Sequence, residues 1–319
     1  MRVAKEMGYI PNRVARALVS GSTRLLGVVM TDIVNPHHAA TVQTMEQVAR
    51  KMGYNVTLCL TNDSVAEQRR MIQLLREIRV DGVILFGAHG TPEKDLQQLS
   101  QFNLPAVLLN DMADCPIDIV ANDNRAGVYQ AVRHLAGLGH RRIAYLSGPA
   151  DRANRAKQAG YLDGMRDIGF GPDACIMVPG DDLHPQSGYD ATRRLMRQAP
   201  DVTAVIGRTD GIALGAMSYF AEIGRRVPDE ISVVGYDNLQ IAAHSNPRLT
   251  TVAFSWQTQA TRAVQLLKEK IDAWGQGERW ERKTILLPPE LILRESSGPA
   301  FDQQYSPEST KANKERANA

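Results

Sequence analysis

The chain is short of several things, and each shortage excludes a class of protein. Its three cysteines, Cys59, Cys115 and Cys175, are odd in number and far apart. That argues against a disulfide framework or a zinc site and fits a reducing cytoplasm. No apolar run is long enough to cross a bilayer. The N-terminal MRVAKEMGYIPN lacks the apolar h-region of a secretory signal. We therefore expect a cytoplasmic location and no membrane partner. With 37 basic and 35 acidic residues the net charge is only +2, so any nucleic-acid affinity must come from a local basic patch. There is no G-x-G-x-x-G fingerprint, P-loop, nucleophile elbow or His-Glu-x-x-His. The expectation is no enzyme, no cofactor and no metal. Solenoid repeats and heptads are absent too.

What is present is an ordinary globular composition, 43% hydrophobic and 23% charged, on 319 residues. That is enough chain for two domains, each with its own core. Between Glu6 and Asp32 there is no acidic residue, but there are Arg13, Arg16 and Arg24. Pro11 fixes an extended backbone, Asn12 can cap a helix start, and Val14, Ala15 and Leu18 share a helical face. Gly21 is a natural stop. A helix this short is marginal alone in water, so it should order only when something packs on it.

From Leu25 onward, short apolar strands alternate with helical patterns. The strands are expected at 25–30, 55–60, 82–86, 106–109, 143–147, 204–206 and 231–236. The helices are expected at 39–52, 65–78, 125–138, 157–168, 187–197, 212–223 and 257–274. This rhythm implies parallel sheets covered by helices, an α/β protein with two sheets. The polar tail after Gly298 has the composition of a disordered segment.

Gly8-Tyr9-Ile10-Pro11-Asn12, Ala15-Arg16-Ala17-Leu18, Ser20-Gly21 and Gly27-Val28-Val29 resemble the hinge and first strand of the lactose-repressor (LacI/GalR) family of transcription regulators. The likeness continues in order through Leu138-Gly139-His140-Arg141-Arg142-Ile143, the run from Val227 to Asp237, and Pro247-Arg248-Leu249-Thr250-Thr251-Val252. It implies two doubly wound parallel-sheet subdomains with three crossovers, like a type I periplasmic binding protein. Residues 1–9 would be a remnant of the helix-turn-helix domain, whose two preceding helices are missing, and residues 10–22 the hinge helix and linker. The N-terminal subdomain would be 23–148 plus 254–284, the C-terminal one 149–253 plus 285–297, and the tail 298–319. The crossings would fall near 147–150, 253–255 and 283–287.

Ligands of parallel α/β sheets bind beyond the carboxyl ends of the strands, so those loops hold the candidate effector residues. After the first strand come His37 and His38, where the family commonly has stacking aromatics; the plainer alternative is a solvated helix start. Asn110-Asp111 follows the fourth strand, and Asp111 either faces the effector or simply forms a turn. Asp123 is most simply a helix cap, though in the family it can touch ligand. The family's effector-contacting Arg falls on Lys157, which lacks the planar fork, and Arg155 is a possible substitute. Thr209 stands where an Asn normally binds ligand, Arg208 adds a charge of no assigned purpose, and Asp210 is read as the cap of the following helix. Asp237, at a strand end, is the strongest ligand residue, suited to accept from sugar or base donors. Trp256 sits where the family has an aromatic effector wall. In the hinge, Leu18 would wedge into the minor groove beside Asn12 and Ala15 while Arg13 and Arg16 approach phosphates.

The implied function is a ligand-responsive repressor. A small polar effector, such as a sugar or sugar derivative, would modulate operator binding by a homodimer or dimer of dimers, with weak operator binding for a chain short of the first two helices. The alternative is a solute-binding sensor that does not bind DNA.

Overall fold

The computed structural model describes residues 21–34, 36–88, 90–102, 104–109, 116–148 and 152–300. The expected hinge residues Asn12, Arg13, Ala15, Arg16 and Leu18, the loop residue Asp111 and nearly all of the tail lie outside them. The chain divides into two compact units. One runs to Asn122 and includes Ser255–Leu287, and the other comprises Asp123–Phe254 and the chain from Pro288. The expected two-sheet α/β architecture is present, with three passages between the units.

The first unit holds β1 (Leu25–Met30), α1 (Pro36–Lys51), β2 (Asn55–Leu60), α2 (Val65–Glu77), β3 (Gly82–Phe86), α3 (Glu93–Gln101), β4 (Ala106–Leu109) and β5 (Asp118–Asn122). The second holds α4 (Asn124–Gly137), β6 (Ile143–Leu146), α5 (Arg152–Asp167), β7 (Ile176–Val178), α6 (Pro185–Gln198), β8 (Ala204–Gly207), α7 (Asp210–Glu222), β9 (Ser232–Tyr236) and β10 (Thr250–Ala253). The chain then returns with α8 (Trp256–Gly275) and β11 (Thr284–Leu287) to the first unit, and ends with β12 (Glu290–Ile292) in the second.

The first sheet has the order β11-β5-β4-β3-β1-β2 and is parallel throughout. The second has the order β12-β10-β9-β8-β6-β7, with β12 alone antiparallel. Strand side chains alternate between faces, and both faces are covered, as parallel sheets require. In the first sheet Val29, Val83, Leu85 and Leu108 join the core that includes Met71, Leu75, Leu96 and Leu99 from α2 and α3. Leu26, Val28, Ile84 and Val107 face the opposite core, with Met45 of α1 and Val264 and Leu267 of α8. The second sheet repeats the plan, with α6 and α7 on one side and α4 and α5 on the other.

The first passage falls at Asn122–Asp123, not near 147–150. Packing explains the shift. A Cβ on Gly160 of α5 would lie 2.1 Å from the carbonyl oxygen of Arg125, so α4 and α5 touch backbone to backbone. Arg125 and Tyr129 of α4 also bond Asp163 and Asp167 of α5, and β6 pairs with β7 and β8. Both α4 and β6 are therefore built into the second unit. The last passage follows β11, because that strand pairs with β5 of the first sheet.

Two carboxylates, one half-buried and one fully buried, anchor the first unit. Asp81 accepts from the backbone N–H of Thr23 at 2.8 Å and of Arg24 at 3.1 Å, from Thr23 Oγ1 at 2.8 Å, and from the Ser22 hydroxyl. It thus clamps the chain where it enters β1. Asp118, fully buried, accepts from Trp280 Nε1 at 2.9 Å and the Lys283 N–H at 2.7 Å, and pairs with Lys270 Nζ at 2.9 Å. Removing one partner of a buried ion pair strands the other charge. Lys270→Met should therefore cost about 3 kcal/mol in urea unfolding, and adding Asp118→Asn should return most of it.

Candidate functional site

In the second unit β6, β8 and β9 are neighbours, and their carboxyl ends lead into Ser147, Arg208 and Asp237. Lys157, one turn into α5, is buried there. Its ammonium donates to the Arg208 carbonyl at 2.9 Å and stands 3.3 Å over the Tyr236 ring, and such a placement favours the cation. Tyr236 donates in turn to Asn124 Oδ1 at 2.9 Å. Arg208, also buried, shares with Lys157 the task of holding down the Asp237 pKa. Burial is the larger effect and pushes that carboxyl up to about 6.

Asp237 has φ of 106° and Asn238 53°. Consecutive left-handed residues that are not glycine are strained by about 1–3 kcal/mol each, and such strain concentrates at functional sites. Asp210 lies beside them. Its carboxylate accepts from Thr251 Oγ1 at 2.6 Å and from the Leu239 N–H at 2.6 Å. Burial and then the charge of Asp237 push Asp210 up to about 7, against those hydrogen bonds and Arg294.

In the first unit His37 and Trp256 stack, with centroids 4.2 Å apart and planes 25° from parallel. Ser255 caps α8 by accepting from the Thr258 N–H at 3.1 Å and so places Trp256 at the helix start. Burial, and then His38, lower the His37 pKa to about 4, so its ring is neutral at physiological pH. His38 packs on Phe86 at the end of β3, with centroids 4.9 Å apart, and its Nδ1 lies 3.3 Å from Asp32 Oδ2. The result is an aromatic plate edged by a carboxylate. Among the described residues no group of three or more His, Cys, Asp and Glu is placed to hold a metal ion.

The profile described as periplasmic binding proteins and sugar binding domain of LacI family matches residues 23–288. The chain belongs to the LacI family. It is 30% identical over 299 residues to the HTH-type transcriptional repressor PurR of Pasteurella multocida (strain Pm70), covering 93% of this chain and 88% of that protein. It is also 30% identical over 302 residues to the ribose operon repressor of Halalkalibacterium halodurans, covering 93% and 86%. Among solved structures it resembles the lac repressor dimer bound to operator and the anti-inducer ONPF, with a TM-score of 0.78, 27% identity and coverage of 91% and 99%. Both sequence relatives are repressors by name.

Within this LacI-family body the structure groups some of the expected residues and separates others. It brings Lys157 to Asp237, and His37 to Trp256. Arg155 does not join them: two positions from Lys157, it lies on the exposed side of α5. Asp123 caps α4 by accepting from the Ala126 N–H at 2.9 Å. Thr209, not Asp210, caps α7. Its hydroxyl accepts from the Ile212 N–H at 3.2 Å and donates to the Leu183 carbonyl at 3.4 Å. Asp210 is freed for the tertiary role above. Sequence reasoning passed over Phe86 and Tyr236 as candidates, and no local pattern distinguishes them from other strand-end aromatics.

The buried carboxyl makes a pH-dependent demand. Asp210 holds its proton in the folded state up to about pH 7, whereas an unfolded Asp loses it near 3.9. Its effect is absent below the unfolded value. Stability is then lost as pH rises through roughly 4 to 7. Asp210→Asn should remove this loss. The variant's stability relative to wild type in urea unfolding should rise by about 2–4 kcal/mol between pH 4.5 and 7.5.

Proposed function

We propose that this LacI-family protein is an effector-responsive transcriptional repressor, and that its effector is a small polar metabolite such as a sugar or sugar derivative. The observation that carries the reading is the pair of residue sets at the carboxyl ends of the two sheets. Asp237, braced by Lys157, offers acceptors to hydroxyl or amide donors, and the His37–Trp256 plate offers an apolar face to a ring. The ribose operon repressor among the relatives supports a carbohydrate. The lac repressor likeness supports operator DNA as a partner and a homodimer as the working unit.

Residues 10–22 act as the hinge in this reading, with Leu18 entering the minor groove and Arg13 and Arg16 on the phosphates. Asn12 and Ala15 lie at the same surface. Asp111, Asp123 and Thr209 are secondary effector contacts. Effector shifts DNA affinity only by its differential affinity for the DNA-competent and incompetent states, typically ~1–3 kcal/mol. Catalysis has no part in it.

A thermal-shift screen with ribose, cellobiose, gluconate and adenosine tests the effector claim. A true ligand at about 100 times its Kd stabilises by about 2.7 kcal/mol, and both Asp237→Asn and Trp256→Ala should abolish the shift. A ligand whose shift survives both substitutions refutes the site assignment. In a mobility-shift assay on DNA from the protein's own locus, retention at low salt should fade steeply towards physiological salt. Retention indifferent to salt contradicts the reading that Arg13 and Arg16 lie on phosphates. No retention at any salt leaves a solute sensor.

A further inference from the structure

We propose that Asp210 is a positioning residue for Asp237, its buried carboxylate holding residues 237–239 in the left-handed turn that aims the Asp237 side chain. Three consecutive backbone N–H groups of this turn are held by groups far away in sequence. The Asp237 N–H donates to the Val252 carbonyl at 2.9 Å. The Asn238 N–H donates to Thr251 Oγ1 at 3.3 Å, and the Leu239 N–H to Asp210 Oδ2 at 2.6 Å. The same Thr251 hydroxyl donates to Asp210 Oδ1 at 2.6 Å. Asp210 therefore holds the turn directly through Leu239 and indirectly through Thr251. Arg294 closes the far side, donating to Asn238 Oδ1 and the Leu249 carbonyl, each at 2.7 Å.

The chain makes room for this arrangement. A Cβ on Gly235 would lie 2.2 Å from Asp210 Oδ1, so only glycine lets the carboxylate approach β9. Asp210 is also released from capping α7, because Thr209 does that. Asp237 and Asn238 are both at positive φ, which Asp and Asn tolerate better than other non-glycine residues, and two in succession are held by these bonds.

Several ionisable groups surround the pair. Lys157 comes from α5, Arg208 from the end of β8, Tyr236 from β9 and Arg294 from beyond β12, while Asp123, before α4, acts on Tyr236. Asp210 meets both the turn's backbone and the charge of Asp237, and that charge favours retention of a proton by Asp210. The consequence for regulation rests on reading Asp237 as an effector ligand; the positioning itself does not.

The test uses the full chain without any ligand, so its failure leaves the effector reading standing. Hydrogen exchange of residues 236–242 and the 13C carboxyl titration of Asp237 are followed in wild type, Asp210→Ala and Asp210→Asn. In Asp210→Ala, exchange at Leu239 and Asn238 should quicken at least tenfold while β6 and β8 are unchanged. Asp210→Asn, which can accept from Leu239 and donate to Thr251, should restore protection to within threefold. The Asp237 midpoint should stay raised in it, because burial is what lifts that carboxyl. Unchanged exchange in the Ala variant, or equal loss across the whole second sheet, overturns the proposal. If the Ala variant does not fold, Thr251→Val decides: unchanged exchange at Asn238 and Leu239 overturns the proposal.

Discussion

Parallel pairing forces every strand of a sheet to deliver its carboxyl end to the same edge. The rest of this molecule depends on that constraint. In the second sheet it gathers Arg208 and Asp237 from adjacent strands and places α5, with Lys157, immediately after a third. In the first it places Asp32 and the histidines of α1 near Phe86 at the end of β3. The loops are then free to carry polar chemistry, because the strands are apolar and closed on both faces.

Gathering charge at a buried edge has an electrostatic cost, and the second unit distributes it. Two carboxyls close together in a low-dielectric setting resist joint ionisation. Here Lys157, Arg208 and Arg294 oppose that resistance, and backbone and hydroxyl donors satisfy Asp210. Lys157 is itself steadied by a carbonyl and an aromatic face, which suits a support for Asp237 as well as a contact for ligand. The first unit takes the other course: its stacked His37 is neutral, and its contribution is shape and polarisable surface.

Much of this was legible in sequence where the signal was local. The runs LLGVVM and GVILF are apolar without interruption, and both are buried strands. Short edge strands such as IMV and ELI, half exposed and flanked by turns, carry no period to read. The helix EKDLQQLSQ buries only Leu96 and Leu99 and looks like a loop until it packs. Asp237 stood out because a strand end is a readable position, and Trp256 because the family resemblance places an aromatic wall there. Asp210 was misassigned because Thr209 and Asp210 are both good caps one residue apart. The choice rests on Thr251 and Leu239, which are 41 and 29 residues away. The first passage was misplaced because the fit of α4 against α5 depends on two glycines of α5, Gly160 and Gly164, that meet Arg125 and Val132 of α4.

The Asp81 clamp has a mechanical corollary. Both oxygens of one side chain grip residues 22–24 from four donors, and the Thr23 hydroxyl also lies 2.9 Å from the Arg79 carbonyl. Residues 22–24 are thus bolted to the first sheet. Any rotation of that sheet carries them with it at full amplitude, as a crank carries its pin.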